Sequence, residues 1–307
     1  MININIFSKY KNVLVVLTSV VFGSIIPEYG SYFEPLITLF VIFLVYASIR
    51  GINIRQTQIM AYSKIVSISL VISFFILPVI GVEVAEILSS PNTVTGFAVA
   101  LSAPTTAGSA IIWTRLSNAD VELATIVSLV SILISPIVTP TILSNLVGSQ
   151  INVPTVSILS NLFIIIAGGI VLTIIIPSNY ISSSQINTGS TVIIFLLIYT
   201  SVSRIDIKDL LISDLVPIFA VSTLLTIFMS GILLLSKYKY KMPLYTAIPM
   251  YLSINMKNLG IGLLISLSFS SSIVVITVIM YHILQQILGA FISDLFTVDS
   301  ALSSSEV

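Results

Sequence analysis

The stretch LSAPTTAGSAII, residues 101–112, lies in an apolar segment long enough to cross a membrane, yet it cannot form an unbroken helix. Pro104 lacks the backbone N–H that a helix interior requires, and its ring collides with the preceding turn. Unwound backbone at membrane depth is tolerated only where it is buried in protein or lines a wet cavity. The stretch therefore predicts a broken spanning helix whose freed backbone groups bond to the hydroxyls of Thr105, Thr106 and Ser109.

A second stretch of the same kind, SINMKNLGIG at residues 253–262, contains one lysine, two asparagines and two glycines within a later apolar segment. Lys257 follows Pro104 by 153 positions, about half the chain. Two interrupted spans in matching positions are the best indication of a transport site that a sequence alone provides. We therefore expect the binding site to lie where the two broken spans meet.

A shorter internal match has the same spacing. VYASIRGINIR at 45–55 is similar to IYTSVSRIDIK at 198–208, and Tyr46 precedes Tyr199 by 153 positions. With five spans in each half, an odd number, the second half enters the membrane the other way up. The chain is thus predicted to consist of two inverted five-helix repeats, residues 1–150 and 151–307.

The whole chain is strongly apolar: 56% of its 307 residues are hydrophobic and 8% are charged. Soluble domains carry about 25% charged residues, so this chain could not cover a water-facing surface. At roughly 20 residues per spanning helix, about ten spans use nearly the whole chain. They are expected near 12–27, 34–50, 62–88, 93–115, 120–147, 157–176, 188–203, 214–236, 243–268 and 272–297. This pattern predicts an all-α integral membrane protein without a soluble domain.

Charge and composition exclude several classes of function. The net charge is zero, which gives no electrostatic reason to expect a nucleic-acid partner. The absence of cysteine excludes disulfides, thiolate metal sites and cysteine nucleophiles. One histidine and no mid-span carboxylate leave little from which to build an intramembrane enzyme. We expect no cofactor, a small substrate and the bilayer as partners, and a monomer or weak homodimer.

Basic residues are distributed unevenly over the predicted loops. With the N-terminus inside, the inner side holds Lys9, Lys11, Arg50, Arg55, Lys64, Arg115, Lys237, Lys239 and Lys241. The outer side holds Arg204, Lys208, Glu28, Glu34, Glu83 and Glu86. Because short cytoplasmic loops carry the excess of Lys and Arg, we expect a multi-pass plasma-membrane protein with both termini in the cytoplasm.

Lys257 fits neither side of the membrane. It lies about 14 residues into its span, roughly 20 Å along a helix, which is too deep for its stem to reach the surface. A lysine at that depth costs about 2.5–3.5 kcal/mol on insertion scales. Its ammonium can pair with an anionic substrate, replace a bound metal ion, or release a proton, since burial disfavours the charged form. The alternative is a lysine that packs on backbone carbonyls and only holds the broken helix together.

His282 is the single histidine and lies in the tenth span. A lone histidine in a helix bundle is more often a packing residue, so a proton relay formed by Lys257 and His282 is the alternative interpretation. Trp113 is expected at the membrane interface, and Arg115, Asp120 and Glu122 in a cluster of surface charges at the inner hairpin.

Four segments resemble the bile acid:sodium symporter family, and the resemblance covers almost the whole chain. SFFILP at 73–78 is similar to the family's third-span QFLxMP, and NMKNLGIG at 255–262 is similar to its ninth-span GMQNSGL. GFAVALSAPTTAGSA at 96–110 and SLVSILISPIVTPTIL at 128–143 are similar to its fourth and fifth spans. The Ser-Pro and Thr-Pro pairs of the fifth-span segment are the most specific match.

The resemblance implies an architecture and an activity. It implies a panel domain of spans 1, 2, 6 and 7, and a core domain of spans 3–5 and 8–10 in which broken spans four and nine cross. It also implies alternating access for an organic anion, such as a bile acid, a steroid or a carboxylate.

The departures from the family pattern concern its two sodium sites. At the positions of the family's first site this chain has Ser109, Ala110, Ala124, Ser128 and Ser253. The family's asparagine and glutamate are absent there. At the positions of the second site it has Ser73, Ser253 and Lys257. The family's two glutamines and the glutamate shared by both sites are absent. One buried cation repels another strongly in a low dielectric. We therefore expect Lys257 to replace sodium at the second site, and the degenerate first site to bind none.

The resemblance also indicates the residues that line the substrate site. They are Thr105, Thr106, Ala107, Ser109 and Asn258. The family's Gly-Gly-Thr corresponds to Thr105-Thr106-Ala107 here, so we expect the two threonine hydroxyls to make the polar contacts. Asn258 matches the family's asparagine. The positive ends of the two half-helices favour an anion. We expect sodium-independent transport, as uniport or with proton coupling through Lys257.

Two related activities remain as alternatives. Auxin-carrier-like exporters share the architecture that the resemblance implies. Arsenite carriers resemble this chain around IIWTRLS at 111–117, although they rely on a cysteine that the chain lacks. An exporter of an auxin-like anion or of a metalloid is therefore the alternative function.

Overall fold

A computed structural model describes residues 3–50, 56–149, 151–177, 179–205 and 212–296. Its helices are α1 (Asn3–Ile25), α2 (Ile37–Ile49), α3 (Gln56–Val71), α4 (Leu77–Leu88), α5 (Pro91–Ser102), α6 (Ala107–Leu116), α7 (Val121–Val147), α8 (Thr155–Ile175), α9 (Ser183–Ser203), α10 (Ile212–Tyr238), α11 (Leu244–Asn255), α12 (Leu259–Ser266) and α13 (Ser272–Leu295). A 3-10 segment, Pro27–Leu36, precedes α2, and a π-helical turn, Ile72–Ile76, joins α3 to α4. Arg55, Lys208, the side chains of Lys9 and Lys11, and both chain ends lie outside the described residues.

Seven helical segments of the described chain are long and apolar enough to cross a membrane. They are Pro27–Ile49, Met60–Leu88, Val121–Val147, Thr155–Ile175, Ser183–Ser203, Ile212–Tyr238 and Ser272–Leu295. A shorter apolar stretch, Val13–Ile25, lies in α1, and each predicted broken span is divided into two short helices. The chain is therefore a helical multi-pass membrane protein. Seven segments of the described chain are long enough to cross a membrane unbroken, fewer than the ten spans predicted at about 20 apolar residues each.

The helices are interrupted at both places where the sequence predicted a break. Residues 103–106 separate α5 from α6, and Pro104 removes a donor from the helical ladder there. Residues 256–258 separate α11 from α12 without a proline. There the side chain of Asn258 accepts a hydrogen bond from the N–H of Ile261 at 3.1 Å and caps the new helix. A proline and a capping asparagine thus produce the same kind of interruption.

Helices α1, α2, α8 and α9 pack against one another reciprocally. The most extensive contacts between helices are those of α1 with α9 and of α2 with α8. Tyr199 of α9 donates its hydroxyl proton to the carbonyl of Ile26, just beyond α1, at 2.6 Å. Tyr46 of α2 donates to the carbonyl of Ile176, just beyond α8, at 3.3 Å. The two tyrosines of the internal sequence match therefore make equivalent contacts.

Polar contacts join different segments of the chain at the two ends of the bundle. At one end Arg204 Nη1 lies 3.2 Å from Glu34 Oε1. At the other, Tyr62 donates to Asp120 Oδ2 at 2.6 Å, and the N–H of Asp120 donates to the carbonyl of Tyr245 at 3.0 Å. Asp120 is buried and its Oδ1 caps α7, so the prediction of a surface charge was wrong.

Candidate functional site: the crossing of the broken helices

The two breaks cross and pair through their backbones. Thr105 and Lys257 form an isolated antiparallel bridge. On one side of it, the N–H of Thr106 donates to the carbonyl that precedes Lys257, at 2.9 Å. On the other, the N–H of Asn258 donates to the carbonyl that precedes Thr105, at 2.8 Å. Each break thus satisfies backbone groups of the other, as irregular backbone inside a membrane requires.

The bridge shifts the predicted equivalence of Pro104 and Lys257 by one residue. The first half-helices keep the spacing of 153, since α5 spans Pro91–Ser102 and α11 spans Leu244–Asn255. The residues paired at the crossing, Thr105 and Lys257, lie 152 positions apart. The reason is that the first break contains four residues and the second three. The structural counterpart of Lys257 is therefore Thr105.

Side chains from two flanking helices hold the crossing in place. Ser131 of α7 accepts a hydrogen bond from the N–H of Thr105 at 2.8 Å, and Gln285 of α13 accepts one from the N–H of Lys257 at 3.2 Å. Gln285 also donates to the carbonyl of Asn255 at 2.7 Å, so its amide spans the second break. Gln285 was not among the predicted site residues. A buried amide in an apolar span was the available signal, because polar groups at that depth are commonly functional.

The ammonium of Lys257 reaches α3 and its π-helical turn. Its Nζ donates to the carbonyl and to the hydroxyl of Ser73, each at 2.7 Å, and lies 5.5 Å from the centre of the Phe74 ring. The side chain is only 3% exposed. Within the described part of the chain no carboxylate forms an ion pair with it. Lys257 is thus a buried cation surrounded by neutral groups.

The carbonyl of Ser73 is available to the ammonium because of the π-helical turn. The N–H of Leu77 donates to the carbonyl of Ile72, five residues back. The next donor in this register would come from position 78, but Pro78 has no N–H. The carbonyl of Ser73 therefore lacks the partner that the π register would supply, and Lys257 takes its place. Single π-helical turns occur frequently at functional sites.

The three residues predicted at the second sodium position take part in different ways. Ser73 and Lys257 are in direct contact, and the Ser73 hydroxyl also lies 3.4 Å from the carbonyl of Ile254, to which it donates. Ser253 contributes its backbone, since its carbonyl accepts from the hydroxyl of Thr105 at 2.7 Å. The side chains of Lys257 and Ser73 thus connect the π-helical turn to the end of α11.

The residues of the first sodium position do not converge through hydrogen bonds. Ala110 and Ala124 are buried and supply no side-chain oxygen. Ser109 accepts a hydrogen bond from a glutamine of α13 at 2.6 Å. The hydroxyls of Ser128 and Ser253 are buried and have no hydrogen-bond partner among the described residues. This set offers no carboxylate to a cation.

A second polar network surrounds Gln286 on α13. Its Nε2 donates to the Ser109 hydroxyl at 2.6 Å and lies 3.2 Å from Nε2 of His282, while its Oε1 accepts from the indole N–H of Trp113 at 3.0 Å. Trp113 is 1% exposed, so its predicted interfacial position was wrong. In the described chain, no hydrogen bond joins His282 to Lys257. The proton relay of these two residues stays a prediction.

The predicted substrate residues differ in how many of their polar groups are already hydrogen-bonded within the protein. The N–H and the hydroxyl of Thr105 are already used within the crossing. Thr106 precedes α6 without capping it, so the first N–H groups of α6, beginning at Ala107, receive no side-chain cap. Asn258 uses its side-chain oxygen to cap α12. Thr106 and the start of α6 are thus the more available groups.

A small cavity opens beside the second break. Its polar lining comes from Lys257, Asn258, Tyr281, His282 and Gln285. Its volume is about 10 Å³, close to the minimum for one water molecule. The cavity is thus too small to hold an organic molecule.

Comparison with known proteins identifies the family. A profile of the SBF-like CPA transporter family matches residues 11–297, nearly the whole chain. A comparison with curated proteins finds no match. The profile agrees with the four segments that resemble the bile acid:sodium symporters. The chain therefore belongs to the SBF-like CPA transporter family, a family of membrane transporters.

Proposed function

We propose that this protein is a secondary transporter that moves a small organic anion across the cell membrane by alternating access and without sodium. The substrate is of the bile acid, steroid or carboxylate class. The observation that carries the proposal is the ammonium of Lys257, which lies 2.7 Å from two oxygens of Ser73. In relatives with two sodium sites these two positions hold glutamines.

The electrostatic argument follows from that contact. Two unit charges of the same sign about 4 Å apart repel by about 4 kcal/mol at an effective dielectric of 20. A sodium ion beside the Lys257 ammonium would meet this repulsion without a carboxylate to offset it. The lysine is covalently attached, so unlike sodium it cannot be released down an ion gradient. A sodium gradient therefore cannot drive transport through an ion bound at this position.

The proposed architecture has ten spans in two inverted repeats, with both termini in the cytoplasm. Helices α1, α2, α8 and α9 form the panel, and the remaining helices form the core with its crossing. The reciprocal packing of α1 with α9 and of α2 with α8 supports this division, as do the equivalent contacts of Tyr46 and Tyr199. Movement of the core against the panel would expose the crossing to each side in turn.

The crossing has the chemistry to recognise an anion. The half-helices α6 and α12 both begin there, and helix N-termini favour negative charge. Thr106 and Asn258 stand at these two starts and supply polar side chains. Lys257 adds a buried positive charge, and no carboxylate of the described residues forms an ion pair with it. One negative charge on the substrate would offset it.

The test is uptake into proteoliposomes. A thermal-shift screen of bile acids, steroid sulfates and small carboxylates first selects a substrate. Its uptake is then measured with sodium or with choline on both sides of the membrane. Wild type should transport equally in both, Lys257→Gln should lose most activity, and the exposed-site control Lys64→Gln should match wild type. A strict sodium requirement in wild type would contradict the proposal, and an imposed proton gradient separates uniport from proton coupling.

A further inference from the structure

The loop between α10 and α11 combines positive charge with exposed aromatic rings. Residues 237–241 read KYKYK, so three lysines alternate with two tyrosines. Tyr238 and Tyr240 are 69% and 71% exposed. Lys237 and Tyr238, the first two of these residues, end the membrane segment Ile212–Tyr238, and the other three follow it directly. The side chains of residues 237–241 therefore lie at the level of the lipid headgroups, where tyrosine is enriched in membrane proteins.

The positive charge of this loop is not neutralised within the described chain. Lys237 Nζ lies 5.0 Å from the centre of the Tyr238 ring and 5.5 Å from that of Phe296. Lys239 Nζ lies 5.9 Å from the centre of the Tyr240 ring. No ion pair joins any of the three lysines to a carboxylate of the described residues. Aromatic faces attract the ammonium groups without removing their net charge.

The third lysine of the loop occupies a backbone conformation that disfavours it. Lys241 has a φ of 50°, in the left-handed region. The other non-glycine residue with positive φ in the described chain is Asn118, of a type that tolerates this region. Glycine would relieve the strain. The helix dipole accounts for Lys237 in the last turn of α10, but it gives no reason for a lysine in a left-handed position beyond the helix.

We infer that residues 237–241 bind the phosphate of an anionic phospholipid headgroup. An ammonium group forms strong charge-assisted hydrogen bonds to phosphate. Basic clusters next to membrane helices attract anionic lipids, at roughly fivefold in affinity per lysine. The two exposed tyrosines insert at the interface and hold the lysines at the height of the phosphates. The strained backbone at Lys241 is thus retained for the position of its side chain.

The test uses the full chain reconstituted in phosphatidylcholine vesicles with trace spin-labelled phosphatidylglycerol or phosphatidylcholine. The fraction of each label immobilised by the protein gives the lipid selectivity. Wild type should prefer phosphatidylglycerol severalfold, and the triple variant K237Q/K239Q/K241Q should lose most of that preference. The matched control K64Q/R115Q, which removes exposed basic residues elsewhere, should keep it. Equal loss in the control, or full preference in the triple variant, would overturn the inference.

The single variant Lys241→Gly separates binding from folding. It should weaken the preference for phosphatidylglycerol several-fold, by roughly the contribution of one lysine, while the melting temperature in phosphatidylcholine stays equal or rises. A fall in melting temperature with unchanged lipid preference would show that Lys241 has only a structural role. Inorganic phosphate, compared with sodium chloride of equal ionic strength, tests the other source of the same chemistry. If phosphate alone abolishes the preference, the site binds a free ion rather than a lipid.

Discussion

The ammonium of Lys257 and the backbone carbonyl of Ser73, 184 positions apart in the chain, are joined by a hydrogen bond of 2.7 Å. The Ser73 hydroxyl accepts a second bond from the same ammonium, also at 2.7 Å. Two features of the local sequence make the contact possible. The break in the ninth predicted span places the lysine at the crossing, and Pro78 withholds the N–H that would otherwise use the carbonyl.

A double-mutant cycle should detect the bond between the two side chains. Ser73→Ala removes a hydrogen bond to a charged donor, which contributes about 1.5–3 kcal/mol to the free energy of unfolding. In a Lys257→Met background the same substitution should cost much less, because the charged donor is already gone. Reversible unfolding of all four proteins in mixed micelles measures the difference. An equal cost in both backgrounds would show that the bond does not contribute.

Pro78→Ala should destabilise the protein, although removing a proline from a helix usually has the opposite effect. The new N–H at position 78 would donate to the carbonyl of Ser73 and displace Lys257 from it. The matched control is Pro217→Ala in the interior of α10, which should be neutral or stabilising. Unfolding in the same micelles compares the two variants. If Pro78→Ala stabilises as much as Pro217→Ala, the explanation of the free carbonyl is wrong.

The fluorescence of Trp113, the single tryptophan, should report on Gln286. The indole N–H donates to Gln286 at 3.0 Å in a buried site. Gln286→Leu removes this acceptor, so the emission maximum should move to shorter wavelength. The neighbouring variant Gln285→Leu breaks contacts at the crossing instead and should leave the emission of Trp113 unchanged. Identical spectra for wild type and Gln286→Leu would contradict the placement of the indole.

Two glycine substitutions should have opposite effects on stability. A Cβ at Gly96 would lie 2.4 Å from Cβ of Thr277, so Gly96→Ala forces α5 and α13 apart. Overpacking of this kind costs about 1–3 kcal/mol. A Cβ at Gly231 in α10 meets no atom within 4 Å, so Gly231→Ala should stabilise by about 0.5–1 kcal/mol through helix propensity. Unfolding measurements that gave the same sign for both would contradict the packing of α5 against α13.

The helical class and the positions of both interruptions could be predicted from the sequence, because they depend on local features. Hydrophobic composition indicates a membrane protein, and Pro104 and the polar residues around Lys257 lie at the two interruptions themselves. The family could be recognised because four segments retain its motifs, and the profile match confirmed it. Lys257 contacts Ser73, and the assignment of these two positions to one ion site stays a prediction.

Other features depend on tertiary contacts that periodicity and spacing do not contain. The bridge of Thr105 to Lys257 is one residue out of the repeat spacing, because the second break is one residue shorter than the first. Trp113 was expected at the interface from its residue type, but a buried acceptor on a helix distant in sequence decides its position. The role of Gln285 emerges only when α13 is placed beside the second break.

Equilibrium binding of radiolabelled sodium to the purified protein tests the central claim most directly, since it requires no knowledge of the substrate. The sample must be folded, as judged by the emission of Trp113 and by cooperative unfolding. The proposal that the ammonium of Lys257 takes the place of the ion predicts no saturable binding to wild type up to physiological sodium concentrations. Saturable binding that unlabelled sodium displaces would contradict the claim that Lys257 replaces sodium.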